Sequence, residues 1–316
     1  MDISVIICTY NRCQLLKKAL EAIAGSEMPK TISWEVIVVD NNSNDATHDV
    51  TEDVDRRYPN HFRYIFESRV GKSNALNKGV QEARGGILAF VDDDVVVQPT
   101  WLHNLTAELH GEQWAGVGGR TLPANSVSLP GWLTLKGPYG LGGVLAAMFD
   151  LGDEPIVLDR PPYGANMAFR KVMFERYRGF RTDLGPSPNR EIPRPNEDTE
   201  FGRRLMAAGE RILYVPTAVV FHPVPADRIK KQYFLDWWFD YGRASSREVG
   251  RKPNVLGIPR YLISIPKMTV TVLIPTALRW MMTFDGPKRF FLQCWMWATA
   301  GQMVEMHRQR HNAAGQ

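Results

Sequence analysis

The run from Ile87 to Val97, Ile-Leu-Ala-Phe-Val-Asp-Asp-Asp-Val-Val-Val, constrains this chain most. Five apolar residues after Gly85 and Gly86 read as a buried strand of a parallel sheet. Three consecutive carboxylates, Asp92, Asp93 and Asp94, follow at its carboxyl end. That end is where an open α/β sheet forms its ligand crevice. Packed carboxylates repel one another unless a cation or a ribose hydroxyl shares the site. Mg²⁺ and Mn²⁺ both prefer carboxylate oxygen. A solvated acidic turn is the plainer alternative.

The preceding residues alternate strand and helix four times, which predicts a mainly parallel sheet. Ile3 to Cys8 reads as the first strand and not as a signal peptide. Trp34 to Asp40 and Phe62 to Phe66 read as the second and third. Leu16, Ala19, Leu20 and Ile23 have helical spacing, and Ser73 can cap a later helix. Each strand end carries polar residues: Thr9, Asn11 and Arg12, then Asp40 and Asn42, then Lys72, then the aspartates. Adjacent strands would bring them to one crevice. For Asp40 and Asn42, plain turn chemistry is the alternative. No G-x-G-x-x-G follows the first strand, and no phosphate-binding P-loop is present, so a dinucleotide oxidoreductase is not expected.

The second half is less patterned. Residues 122 to 162 are rich in Gly and Pro. Asn196-Glu-Asp-Thr-Glu-Phe201 opens an amphipathic helix, where Glu197, Asp198 and Glu200 also suit a helix dipole. Strands read from Arg211 to Pro216 and from Ala218 to Phe221, ending at His222. A lone His at a strand end is commonly structural.

In order and spacing these segments resemble the inverting, nucleotide-sugar-dependent glycosyltransferases of family 2, which have the GT-A fold. Val5-Ile-Ile-Cys-Thr-Tyr-Asn-Arg12 resembles that family's first strand, and Val38-Val-Asp-Asn-Asn-Ser43 its second. Gly71 to Gly79 resembles its donor-binding helix start, and Phe90-Val-Asp-Asp-Asp94 its D-x-D metal motif. Gly164-Ala-Asn-Met-Ala-Phe-Arg170, Glu197-Asp198 and Val215 to His222 resemble its acceptor half. The resemblance covers about residues 1 to 222.

The resemblance implies roles. Thr9, Asn11, Arg12, Asp40 and Asn42 would surround the nucleoside. Lys72 and Asn77 would lie near the pyrophosphate or ribose. Asp92 and Asp94 would serve a divalent Mg²⁺ or Mn²⁺, with His222 completing the shell. Asp93 fills the variable position on the donor side. Asp198 matches the acid that takes the acceptor hydroxyl's proton. The expected donor is a nucleoside-diphosphate sugar, UDP-linked. The expected acceptor is a hydroxyl, carried on a lipid-linked saccharide in polysaccharide or glycan synthesis. The alternatives are a sugar-nucleotide pyrophosphorylase and a non-catalytic nucleotide-sugar binding protein. The former should carry a Gly-rich, Arg-containing loop where Thr9-Tyr-Asn-Arg12 stands.

The expected organisation is a glycosyltransferase domain over 1–225, with a donor half to about 121, and a C-terminal helical region over 226–316. Charge separates them. Residues 227 to 316 hold 14 Lys and Arg against 6 Asp and Glu, a net +8, and the remainder is −4. Five of the nine tryptophans lie in this tail. Its longest uncharged stretches, Met268 to Leu278 and Phe290 to Val304, fall short of the ~20 residues a spanning helix needs. Peripheral contact with an anionic membrane is one expectation, and a packed helical subdomain is the other. Nucleic acid is not an expected partner, because it leaves the acidic strand end unexplained. Three cysteines in no metal-ligand spacing fit a reducing, cytoplasmic setting, with any membrane contact on the cytoplasmic face.

Overall fold

The computed structural model describes residues 1–126, 128–189, 191–250, 254 and 258–311. Positions 127, 190, 251–253, 255–257 and 312–316, parts of the glycine- and proline-rich stretches and of the basic tail, lie outside the described residues. The chain forms two compact units. One comprises 1–126, 146–190 and 197–224, and the other 127–145, 191–196 and 225–316.

The first unit is built on one sheet. Its strands are β1 (Ile3–Thr9), β2 (Trp34–Asp40), β3 (Phe62–Phe66), β4 (Ile87–Val91), β5 (Val96–Val97), β6 (Gly116–Pro123), β7 (Ile156–Val157), β8 (Asn166–Arg170) and β9 (Ile212–His222). Their order is β3-β2-β1-β4-β8-β6-β9-β5, with β7 also on β9. β1, β2, β3, β4, β6 and β9 run one way and β5, β7 and β8 the other, so the expected mainly parallel α/β fold is present. Alternate residues bury opposite faces: Val5 and Ile7 join one core, Ile6 and Phe90 the other. That two-sided burial is why β4 reads as an unbroken apolar run and β1 as a nearly continuous one.

Helices α1 (Cys13–Ala24), α2 (Thr47–Arg57), α3 (Lys72–Glu82) and α4 (Trp101–Thr106) follow β1, β2, β3 and β5. Further along lie α5 (Gly142–Ala146), α6 (Val172–Tyr177) and α7 (Glu197–Ala207). Three local expectations change. The run to Val97 splits, because Asp92 to Asp94 leave the sheet and Val96–Val97 re-pair with β9. Ser73 does not cap α3: its hydroxyl donates to the Leu184 carbonyl at 2.7 Å, and Gly71 takes the cap position at φ 122°. The two strands expected around Pro216 are one, because a register shift lets β6 skip residues 216–218.

The second unit is helical: α8 (Lys231–Val249), α9 (Arg260–Met268), α10 (Ile274–Met281) and α11 (Gly286–His311). Trp132, from the poorly patterned stretch, packs on Phe234 and Phe290. Tertiary contacts therefore organise a segment that has no period of its own. α9 and α10 are joined by a π-helical turn, Thr269–Leu273, into one helical run of 22 residues from Arg260 to Met281. The expectation that no stretch reaches spanning length is thereby corrected: by length and composition this helix is long and apolar enough to cross a membrane. Lys267, Pro266 and Pro275 disguise its continuity in the sequence.

α8 and α11 approach closely because each offers a glycine. A Cβ at Gly242 would lie 1.8 Å from the Ala298 carbonyl oxygen, and one at Gly301 would lie 2.0 Å from that of Phe239. Backbone oxygens cannot rotate away. Gly242→Val should therefore lower the unfolding free energy by about 1–3 kcal/mol in urea denaturation, as overpacking does. Gly111→Ala, where a Cβ would meet nothing within 4 Å, should lower it by less than about 0.5 kcal/mol.

Candidate active site

Strand register assembles the site in the first unit. Thr9 of β1 pairs with Asp40 of β2, and β4 pairs with β1 so that Ile6 faces Phe90. Carried three residues further, that register sets Asp93 beside Thr9. β8 runs antiparallel to β4 with Asn166 opposite Val91, which brings the Gly164 loop to the same edge. β5 pairs antiparallel to β9 with Val96 opposite Phe221, which brings His222 back beside Asp94. Thr9, Asp40, Asp93, Asp94 and His222 are all buried.

Asp92, Asp94 and His222 each turn one ligand atom into a space where all lie within 4.8 Å of one another. His222 Nδ1 lies 2.8 Å from the Pro223 carbonyl oxygen. A carbonyl can only accept, so Nδ1 carries the proton, and in the neutral ring Nε2 presents a lone pair. That nitrogen faces Asp94 Oδ1 at 3.5 Å. A lone pair opposite a carboxylate is unfavourable unless a proton or a metal cation lies between them. The donor set therefore fits a divalent cation that accepts oxygen and imidazole. Asp93 is turned the other way. Arg12 Nη1 donates to Asp93 Oδ1 and to Asp94 Oδ2, each at 3.2 Å.

Lys72 joins this group to the start of α7. Its Nζ lies 2.6 Å from Asp92 Oδ1 and 3.5 Å from Glu197 Oε1. Next to Glu197, Asp198 accepts from the Gly164 N–H at 2.5 Å and from the Thr199 N–H at 2.6 Å. A Cβ at Gly164 would press on Asp198 at 3.1 Å, which accounts for glycine there. Asp198 is only half-buried, so its carboxylate is fixed in place and still reachable.

The carboxyls do not titrate alike. Burial raises Asp93 to about 6, with repulsion from Asp94 adding to it against the pull of Arg12. Burial raises Glu197 to about 8, and Asp198 reinforces the shift. Burial also acts on Asp92, yet the Lys72 ammonium overcomes it and holds Asp92 below the usual range. Lys72 itself is held well above the usual lysine range: burial opposes its charge, and Asp92 and Glu197 outweigh that.

Other expected site residues are partly occupied by the fold. Tyr64 donates to Asp40 Oδ2 at 2.6 Å, and the Ser43 N–H to Asp40 Oδ1 at 2.8 Å. Asn11 and Asn42 both take the left-handed conformation, φ 53° and 72°, which Asn tolerates. Asn42 is exposed, whereas Asn41 turns inward and accepts from the Gly71 N–H at 2.7 Å. Asn77 exchanges two hydrogen bonds with the Phe180 backbone, both 2.8 Å, and so clamps that loop to α3. Sequence reasoning missed Tyr64, Asn41 and the Gly164 N–H. Their partners sit at distant positions that only register brings near. Asn166 is a structural knot, accepting from Trp101 Nε1 and donating to the Arg120 and Ala218 carbonyls.

Comparison with known proteins follows the same lines. Residues 4–177 match the family model for glycosyl transferase family 2. The chain is 28% identical over 233 residues to the glycosyltransferase AglE of Haloferax volcanii, covering 73% of this chain and 70% of that protein. It is 25% identical over 256 residues to the glucosyl-dolichyl phosphate glucuronosyltransferase of the same organism, covering 77% and 76%. Among solved structures, the mannosyltransferase PcManGT from Pyrobaculum calidifontis, in complex with GDP-Man and Mn²⁺, superposes with a TM-score of 0.60 at 19% identity, covering 96% of this chain and 86% of that one. With more than half its length matched by the family model, and with the GT-A fold, this chain belongs to the family 2 glycosyltransferases.

Proposed function

We propose that this glycosyltransferase moves one sugar from a nucleoside-diphosphate donor to a hydroxyl acceptor with inversion at the anomeric carbon. The observation that carries the reading is the convergence on Lys72 of the strand-end and helix-start carboxyls. Asp94, His222 and Asp92 are the residues that would hold a divalent cation. When bound, such a cation neutralises the charge that develops on the leaving diphosphate. Lys72 and Arg12 add fixed positive charge on that side. Thr9, Asn11 and Asp40 line the nucleoside end. Asp198 takes the proton of the attacking hydroxyl, a step worth ~10²–10⁴ in rate. A base there and a diphosphate held at the strand ends suit direct displacement.

A related protein named for a dolichyl-phosphate glucoside supports a lipid-linked saccharide as acceptor class. The solved relative with GDP-Man and Mn²⁺ supports a nucleotide-sugar donor and a divalent metal. A panel of UDP- and GDP-sugars with Mn²⁺, read by thermal shift, identifies the donor, because a ligand of the native state raises its melting temperature.

Asp94→Ala should abolish transfer and remove Mn²⁺-dependent binding of the nucleoside diphosphate in calorimetry. Full activity of that variant in chelator would overturn the metal assignment. His222→Ala should raise the Mn²⁺ concentration needed for transfer, a smaller effect than that of Asp94→Ala. Asp198→Asn keeps shape but loses basicity. It should retain donor binding while transfer falls ~10² or more, the low end for a lost base. Normal transfer by Asp198→Asn would make Asp198 a helix-start acid only. NMR of the product should show an inverted anomeric configuration.

Glu197→Gln tests the electrostatics. A carboxyl whose pKa is raised in the fold binds its proton more tightly there. Its contribution to stability is present at low pH and is lost as pH rises from 4.5 through about 8. Unfolding free energy of the variant, relative to the original chain, should therefore rise with pH across that window. A pH-independent difference would contradict the burial argument.

A further inference from the structure

The helical run Arg260–Met281 has Thr276 as its one buried residue. Leu262, Val270, Leu278 and Met281 are 53, 64, 50 and 57% exposed, and Met282 and Phe284 beyond it 79 and 92%. Arg260, Lys267 and Arg279 are exposed too, and the run contains no acidic residue. In a uniform α-helix Arg279 would stand about 100° away from Arg260. The wider π turn at Thr269–Leu273 takes back much of that rotation, returning Arg279 toward the side of Arg260 and Lys267. The exposed surface thus carries an apolar stripe beside a row of three cations, and the side with Thr276 packs inward.

We propose that this helix lies flat in the surface of an anionic lipid bilayer. Leu262, Val270, Ile274, Leu278 and Met281 enter the acyl boundary, and Arg260, Lys267 and Arg279 meet the phosphates. The charge fits that partner: the tail from residue 227 carries a net +8. A second copy of the chain fits poorly, because the cationic row would face itself. The orientation follows from two observations. Although the run is long and apolar enough to cross a bilayer, Lys267 falls within it, and a crossing would draw that cation into the acyl region. The helix is also held along α11 at both ends, Tyr261 against His307 and Trp280 against Arg289. α11 is in turn tied to α8 by the buried Glu305, paired with Arg243 at 3.1 Å and Arg247 at 2.6 Å. A crossing helix would have to leave α11 or drag that ion-paired cluster into lipid.

Flotation of the whole chain with phosphatidylcholine vesicles, with and without phosphatidylglycerol, tests this without any substrate. Failure there is therefore separable from failure of the transfer reading. The intact chain should float with anionic vesicles and much less with neutral ones. Arg260→Gln/Lys267→Gln/Arg279→Gln should lose at least tenfold in anionic binding. Leu262→Ser/Val270→Ser/Leu278→Ser should lose the part that survives high salt. Circular dichroism checks that each variant is folded, and the single changes Arg279→Gln and Leu278→Ser give the same directions if a triple variant is not. Equal binding to neutral and anionic vesicles, unchanged binding of both triple variants, or release from vesicles by detergent alone would each overturn the proposal. So would a dimer in analytical ultracentrifugation that the serine changes dissolve.

Discussion

The Lys72 ammonium is the interaction on which the site depends. It sits 2.6 Å from Asp92 and 3.5 Å from Glu197, and so joins a β-strand end to a helix start. Without it, two acidic clusters would face each other across a poorly solvated crevice. Arg12 serves Asp93 and Asp94 in the same way from the other side. Among the described residues, two cationic side chains thus face five carboxyls, Asp92, Asp93, Asp94, Glu197 and Asp198. Burial, reinforced by neighbouring carboxylates, raises the pKa values of Asp93 and Glu197, and a protonated carboxyl adds no charge to that imbalance. A divalent cation at Asp92, Asp94 and His222 is proposed to offset it. Charge of this kind suits a donor that brings a diphosphate together with its metal.

Burial on both faces of the sheet makes this arrangement possible. Val5 and Ile7 fill one core and Ile6 the other, so a one-residue slip of β1 would force each side chain into packing shaped for the opposite face. Register in turn sets Asp40, Thr9 and the strand-end aspartates side by side. The short pairing of Val96–Val97 with β9 does the same for His222. Polar groups collect at the strand ends because both faces are already committed to apolar packing.

Where burial is periodic, the sequence was legible. β1, β2 and β4 and the acids after them follow from largely apolar runs and from polar residues at each end, whereas β3, Phe62-Arg-Tyr-Ile-Phe66, is apolar only in part. The same reading placed Asp198 at a helix start and His222 at a strand end, where the structure has them. Ser73, which it read as a cap, bonds Leu184 rather than capping α3, because the helix starts one residue earlier, at Lys72, and puts Ser73 inside its first turn. It overlooked Tyr64, whose value lies in reaching Asp40 on the next strand. It read the tail as too short to span because Lys267 breaks the uncharged run, although helix α9 continues through it. In each miss the deciding partner is remote in sequence or the helix tolerates a residue that normally marks an end.

The strand-end carboxylates are proposed to hold a cation beside the donor diphosphate. Crystals grown with Mn²⁺ and a nucleoside diphosphate, with diffraction recorded at the manganese absorption edge, address it directly. One anomalous peak should lie within coordination distance of Asp94 and of His222 Nε2, with Lys72 still against Asp92. A peak elsewhere, or a bound diphosphate with no anomalous peak among Asp92, Asp94 and His222, would contradict it.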